Sequence, residues 1–247
     1  MSRCIVVLGA SSMICRQATL EMVRPGDRVC LAARNASELS RIASDLQIRR
    51  KPELVITRLF DTNDFGDHQR FIEEIHQTLG ALDIILVGTG VLGDQIAARS
   101  SIPAIREILN SNFVGIATLL SSVANIMESQ RSGIIAVLSS VAGDRGRQSN
   151  YIYGSAKSGM TAYLSGLRNR LSDSGVRVLT IKLGFVDTRM IAGMGGAFLR
   201  ASPYYIGRRI VAKLDGESGN VYLPWFWRYI MLVIVHIPEG IFRRLKL

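Results

Sequence analysis

Cys4-Ile5-Val6-Val7-Leu8 runs straight into Gly9-Ala10-Ser11-Ser12. Five apolar residues in succession do not alternate, so a strand here is covered on both faces, as in a parallel sheet packed between helices. The glycine allows a tight turn, and Ser11 or Ser12 can cap a helix that opens behind it. Similar runs recur at Arg28–Ala33, Leu54–Leu59, Leu82–Val87, Gly133–Leu138, Val176–Leu183 and, shortest, Val221–Leu223. The segments between them have helical length and spacing. Ser37–Gln47 places Leu39, Ile42, Ala43 and Leu46 on one face, and Phe65–Leu79 does so with Phe71, Ile72, Ile75 and Leu79. Long helices are expected from about Pro103 to Glu128 and from about Ser149 to Ser174. This alternation predicts an α/β fold, a Rossmann-type doubly wound parallel sheet flanked by helices, in a single domain over 1–223 with a C-terminal helical appendage over 224–247.

The chain has 247 residues, 48% hydrophobic and 20% charged, which excludes a disordered chain and allows a full core. Thirty Lys+Arg against 20 Asp+Glu give a formal charge of +10. Such an excess suits an anionic partner: nucleic acid, a membrane surface or a phosphorylated substrate. The three cysteines, Cys4, Cys15 and Cys30, are odd in number and close to the N-terminus, so buried free thiols are expected rather than a disulfide framework. No secretory leader pattern opens the sequence and no stretch reaches the roughly 20 apolar residues of a spanning helix. A cytoplasmic protein is the expectation.

Three motifs carry chemistry. A helix N-terminus behind Gly9-Ala10-Ser11-Ser12 offers free N–H groups to a dinucleotide pyrophosphate, although an ordinary strand-to-helix turn would look the same. In Tyr153-Gly154-Ser155-Ala156-Lys157, tyrosine and lysine share a helix face. An ammonium near the phenol lowers its pKa and tunes it for acid-base work; a solvated face is the plain alternative. Ser139-Ser140 ends the fifth strand at the edge where ligands bind in such sheets, or simply forms a turn.

Taken together, and in order, these residues resemble the short-chain dehydrogenase/reductase family over nearly the whole chain. The match also takes in Asp61, Gly88-Thr89-Gly90, Asn112 and Leu183-Gly184-Phe185-Val186-Asp187-Thr188. The resemblance implies that Tyr153 protonates a carbonyl as a nicotinamide delivers hydride. It implies that Lys157 lowers the Tyr153 pKa and binds the ribose, that Ser140 orients the substrate oxygen, and that Asn112 holds a relay water. Gly9, Ser11, Ser12, Met13, Ile14, Asp61, Thr62, Gly88, Thr89, Gly90, Gly184, Val186 and Thr188 would join Tyr153 and Lys157 around the cofactor. Met13 and Cys15 stand where the family has glycines, Gly88-Thr89-Gly90 replaces an asparagine-rich turn, and Leu183 replaces a proline. Arg34, at the end of the second strand where an NAD enzyme usually has a carboxylate, favours NADP(H) through its 2′-phosphate. A solvated loop arginine, and with it NAD(H), stays open. No metal is expected.

The second half, with Thr188-Arg189-Met190, Arg228-Tyr229-Ile230-Met231 and Ile241-Phe242-Arg243-Arg244, is similar to a narrower group, the decaprenylphosphoryl-2-keto-ribose reductases. That resemblance implies reduction of a polyprenyl-phosphate-linked keto-pentose in cell-envelope synthesis, with an oxidase as partner. The run Trp225–Val235, flanked by Arg228, Arg243, Arg244 and Lys246, reads as an interfacial segment lying on a membrane at its inner face, or as a helix buried in a homo-oligomer contact or lid. Arg145 and Arg147, just beyond Ser140, could bind a substrate phosphate or be solvated. A soluble carbonyl or 3-oxoacyl reductase and a non-catalytic NAD(P)-sensing protein are the alternatives. Nucleic acid is not expected, because the basic residues follow no reading module.

Overall fold

A computed structural model describes residues 2–191, 199–216 and 218–245. Seven strands form one sheet: β1 (Cys4–Leu8), β2 (Arg28–Ala33), β3 (Leu54–Leu59), β4 (Ile84–Val87), β5 (Gly133–Ser140), β6 (Val176–Leu183) and β7 (Gly219–Leu223). Their order is β3-β2-β1-β4-β5-β6-β7 and every neighbouring pair is parallel. The order reverses direction between β1 and β4, and the crevice at that reversal is where such sheets take ligands.

The unbroken apolar runs have the cause inferred for them. Ile5 and Val7 of β1 join one core with Ile14, Cys15 and Ala18 of α1 (Met13–Met22) and Leu39 of α2 (Ala36–Arg50). Cys4, Val6 and Leu8 join the opposite core with α3 (His68–Leu79) and with helices further along the chain. β1, β2, β4, β5 and β6 thus bury both faces, whereas the edge strands β3 and β7 are only part-buried.

The helix expected over about Pro103–Glu128 is not continuous. It is preceded by a short α4 (Gln95–Ala98) and consists of α5 (Ile102–Leu109), a π-helical turn over Asn110–Val114, and α6 (Gly115–Gln130). Ser101 caps α5 by accepting from the Ala104 amide. The helix expected to reach Ser174 ends sooner, as α7 (Tyr151–Arg170), with a 3₁₀ turn at Ser172–Ser174. One helix passed over in the sequence, α8 (Pro203–Leu214), packs along α1 through Ile206 and Ile210. The appendage forms α9 (Trp227–His236) and α10 (Glu239–Phe242), and sinks Trp227, Met231 and Phe242 into the body; Lys246 lies outside the described residues. All three cysteines are buried and free.

Cys15 stands where the resemblance stated above would put a glycine that lets α1 approach the sheet. Its Sγ sits where a Cβ on Gly88 would be. The chain has therefore moved the small residue from α1 to the end of β4, which explains both departures with one contact. Gly88→Ala should overpack this point and cost about 1–3 kcal/mol in denaturant unfolding. In a Cys15→Gly background the same substitution should cost far less. Equal losses in the two backgrounds would refute the pairing.

Candidate active site at the sheet's C-terminal edge

A cleft of about 540 Å³ opens along the C-terminal ends of β1, β2, β4 and β5. Gly9, at φ +78°, makes the turn out of β1, and its N–H donates to the Ala32 carbonyl of β2. Ser11, Ser12, Met13 and Ile14 line the cleft at the start of α1. The Ser12 side chain does not cap the helix, so the first-turn N–H groups keep their capacity for an anion. Met13 is half exposed at the rim. Its flexible thioether replaces the glycine of the resemblance without closing the turn. Thr62, Gly88, Thr89 and Gly90 form the far wall, and Thr89 Oγ1 is buried without a partner. Arg34 lies at the mouth and Thr188 on the rim after β6.

The reacting end is built from α7 and the π-helical turn. Gly143 and Gly154 let the turn after β5 touch α7 backbone to backbone: a Cβ on Gly143 would lie 2.7 Å from the Lys157 carbonyl carbon, and one on Gly154 2.9 Å from the Ala142 oxygen. Tyr153 and Lys157 point from α7 into the cleft and are almost wholly buried. Ser140 is within hydrogen-bonding reach of the Tyr153 hydroxyl. Its Oγ also accepts from the Ala142 amide. Lys157 Nζ donates to the Leu138 carbonyl at 3.2 Å and stands 5.7 Å from the Tyr153 ring centre. Asn112, fully buried, donates through Nδ2 to the carbonyls of Val91 (2.7 Å) and Ile108 (2.8 Å), which leaves Oδ1 aimed inward with no donor. A Cβ on Gly90 would meet that Oδ1 at 2.5 Å and Lys157 Nζ at 3.5 Å, so only glycine leaves the two polar groups a shared space. π-turns of this kind often mark functional sites.

Burial governs the ionisation here. It pushes the Tyr153 phenol up to about 12, with Ser140 alone easing it, and pulls the Lys157 ammonium down to about 8. The expectation that Lys157 by itself brings Tyr153 toward neutrality is thus corrected. The ammonium donates to the Leu138 carbonyl, and loss of solvent raises the phenol.

Other expected residues lie elsewhere. Asp61 stands off the cleft lining, holding the backbone and side-chain amides of Asn63. Gly184 is packed under the Trp227 indole, and Val186 is a core residue bridged to Ala201. Arg145 is not free for a phosphate. It donates to the carbonyls of Ile234, Val235 and Ile237 at the end of α9, pairs with Glu239 at 2.9 Å and stacks on Phe242 at 3.7 Å. Arg147 is different: its Nε is buried without an acceptor and its Nη2 reaches only Met231 Sδ at 3.3 Å.

Sequence reasoning missed Arg16, Glu38 and Met190 in the lining, and of the Ser139-Ser140 pair it is Ser139 that lines the cleft. Arg16 follows Ser12 by one helical turn, a spacing that could have flagged it beside Arg34. Ser139 faces the lysine side, donating to the Lys157 carbonyl at 3.3 Å, while Ser140 faces Tyr153. Strand alternation separates the two.

Residues 3–195 match the short chain dehydrogenase family. An uncharacterised oxidoreductase of Mycobacterium tuberculosis is 32% identical over 241 residues, covering 98% of this chain and 96% of that protein. One of Streptomyces coelicolor is 32% identical over 254 residues with the same coverage. An NADP-dependent 3-hydroxy acid dehydrogenase of Schizosaccharomyces pombe is 25% identical over 186 residues, 74% of this chain and 71% of its own. Among solved structures, a variant of the actinorhodin polyketide ketoreductase with NADPH superposes with a TM-score of 0.80 at 18% identity, covering 91% and 97% of the two chains. An alcohol dehydrogenase from Thermococcus sibiricus with 5-hydroxy-NADP gives 0.79 at 20%, covering 97% and 100%. These likenesses agree with the parallel sheet and helical layers described above.

The Lys157 shift makes a stability prediction. In the unfolded chain the amine titrates near 10.5, so between pH 8 and 10.5 the unfolded state binds more protons and stability rises with pH. Below pH 8 the full penalty applies, about 3 kcal/mol at most. Lys157→Met should therefore raise the melting temperature at pH 7 by several degrees, and the gain should shrink as pH approaches 10. A melting temperature that falls at pH 7 would contradict this assignment.

Proposed function

The chain belongs to the short-chain dehydrogenase family and is an NAD(P)-dependent oxidoreductase, and from that premise we propose that it reduces a ketone on a lipid-linked, phosphorylated sugar with NADPH. The observation that carries the ketoreductase reading is that buried Tyr153 and Lys157 meet the unpartnered Oδ1 of Asn112 at one end of the cleft, with part-buried Ser140 in reach of the phenol just off the lining. The cleft suits a dinucleotide: the uncapped helix start would take the pyrophosphate, the unpartnered Thr89 hydroxyl would offer a hydrogen bond, and Arg34 would meet a 2′-phosphate. When bound, the nicotinamide supplies the hydride.

The chain's own residues handle the proton. Tyr153, neutral at any physiological pH, is a donor to a carbonyl oxygen. Ser140 steadies that oxygen and eases charge on the phenolate left behind. Lys157, poised near neutrality, can return a proton, and Asn112 Oδ1 can accept from a water between it and the ammonium. The substrate reading rests on three supports: the narrower resemblance, the Arg147 Nε that has no acceptor and could take a phosphate oxygen, and the apolar tail for the lipid. In the narrower group an oxidase would supply the ketone. A second reading, a reductase of soluble ketones or 3-oxo acids in a homo-oligomer, is favoured by the similarity to the fission-yeast dehydrogenase.

NADPH oxidation with a prenyl-phosphate keto-pentose, beside a panel of soluble ketones and 3-oxo acids, separates the two. Tyr153→Phe should lower kcat/KM at least about a hundredfold while NADPH still binds. Activity within a few-fold of the unmodified protein would overturn the role of Tyr153. Binding with no oxidation of any substrate would favour a sensor instead. Arg34→Glu should raise the KM for NADPH roughly tenfold or more and spare NADH. An unchanged ratio of the two would remove Arg34 from cofactor choice.

A further inference from the structure

The α9–α10 segment has two faces of unequal fate. Trp227 and Met231, one turn apart on α9, are buried in the body with Phe242 of α10. Arg145 ties the last α9 carbonyls and Glu239 to the turn after β5, so the segment is pinned rather than free to fold away. The other side is nonetheless apolar. Trp225, Tyr229, Leu232, Val233 and Ile241 are between 56% and 66% exposed, and the rings of Trp225 and Tyr229 meet edge to face at 6.0 Å. A helix apolar all round is a helix that gets covered. α9 has ten residues and no described helix is long and apolar enough to cross a membrane.

Charge decides what covers it. Arg228, Arg243 and Arg244 are exposed around the apolar face. Within 224–247 the single acidic side chain is Glu239, already taken by Arg145. A second copy meeting the same patch would bring three arginines of each chain into one apolar contact with no carboxylate from the patch to answer them. An anionic lipid surface answers them directly while its acyl boundary takes the aromatic and aliphatic side chains. We propose that the exposed face of α9–α10 docks the protein on an anionic bilayer, with Trp225, Tyr229, Leu232 and Val233 entering the interface and the three arginines meeting lipid phosphates. The docking needs only this face. Its use, to bring the cleft to a lipid-linked ketone, rests on the substrate reading above.

The test is co-sedimentation of the full chain with phosphatidylcholine vesicles, with and without phosphatidylglycerol. The protein should pellet with the anionic vesicles, more weakly with phosphatidylcholine alone, and less in high salt. Leu232→Glu/Val233→Glu should lower partitioning roughly a hundredfold, and Arg243→Glu/Arg244→Glu at least tenfold or so on anionic vesicles alone. NADPH binding and the melting temperature should stay unchanged in both, which excludes misfolding. No pelleting of the unmodified chain, equal pelleting of the glutamate variants, or a lipid-free dimer that both variants dissolve would each overturn the proposal. A chain that docks but reduces no ketone would sink the substrate reading alone, and one that reduces without docking would sink this one.

Discussion

The backbone contact between α7 and the turn after β5 is what the reacting end of the cleft hangs on. Because Gly143 and Gly154 have no side chains, helix and turn meet through main-chain atoms. Such contacts cannot relax by changing rotamer, so the separation of Tyr153 and Lys157 from Ser140 is set by main-chain geometry. The far side of the turn is held as firmly. Asp144 pairs with Lys182 of β6 at 2.5 Å and accepts from the Tyr222 hydroxyl of β7 at 2.9 Å, largely away from solvent. A buried pair of this kind adds little net stability but strongly disfavours any arrangement in which one partner is lost. It therefore acts as a register pin between the catalytic turn and the sheet.

What these contacts hold in place is unfavourable in itself. Lys157 keeps an ammonium with one carbonyl for company, Tyr153 is shut from water, and Asn112 Oδ1 and Thr89 Oγ1 have no partner. Each group loses hydration without full compensation. The two apolar cores on either side of the sheet make that tolerable. Asn112 Oδ1 and Thr89 Oγ1 both line the one cleft, as expected where polar atoms are kept for a ligand.

Most strands were legible because burial on both faces writes itself as continuous apolar runs, and β1, β2 and β6 begin and end where those runs do. Tyr153 and Lys157 were legible because both lie on one helix at a spacing that places them together. The break in the long helix was not. A π-turn inserts a residue without disturbing the apolar spacing on either side, so Asn112 could be placed only by resemblance. The pairing of Cys15 with Gly88 joins residues far apart in the chain, and each looked like a separate loss. Arg145 was misread for the same reason, its acceptors lying about ninety residues further on. The Tyr153 pKa was misread because the helix spacing shows the lysine but not the desolvation.

Arg145 and Trp227 also change what the tail is. Arg145 belongs to the turn that follows Ser140, and it closes the end of α9. Trp227 covers Gly184 and meets Phe185 edge to face at 5.4 Å, on the segment that leads from β6 to Thr188. Both walls of the cleft's outer end are thus braced by one short helix whose opposite face is apolar and basic. The positive excess of the chain is accordingly not a uniform coat. The arginines of the tail sit on the outer side of this brace, Arg147 between it and the catalytic turn, and Arg34 and Arg16 at the opposite end of the cleft. An anionic cofactor at one end and an anionic lipid at the other would meet charge at both, with the neutral phenol of Tyr153 between them.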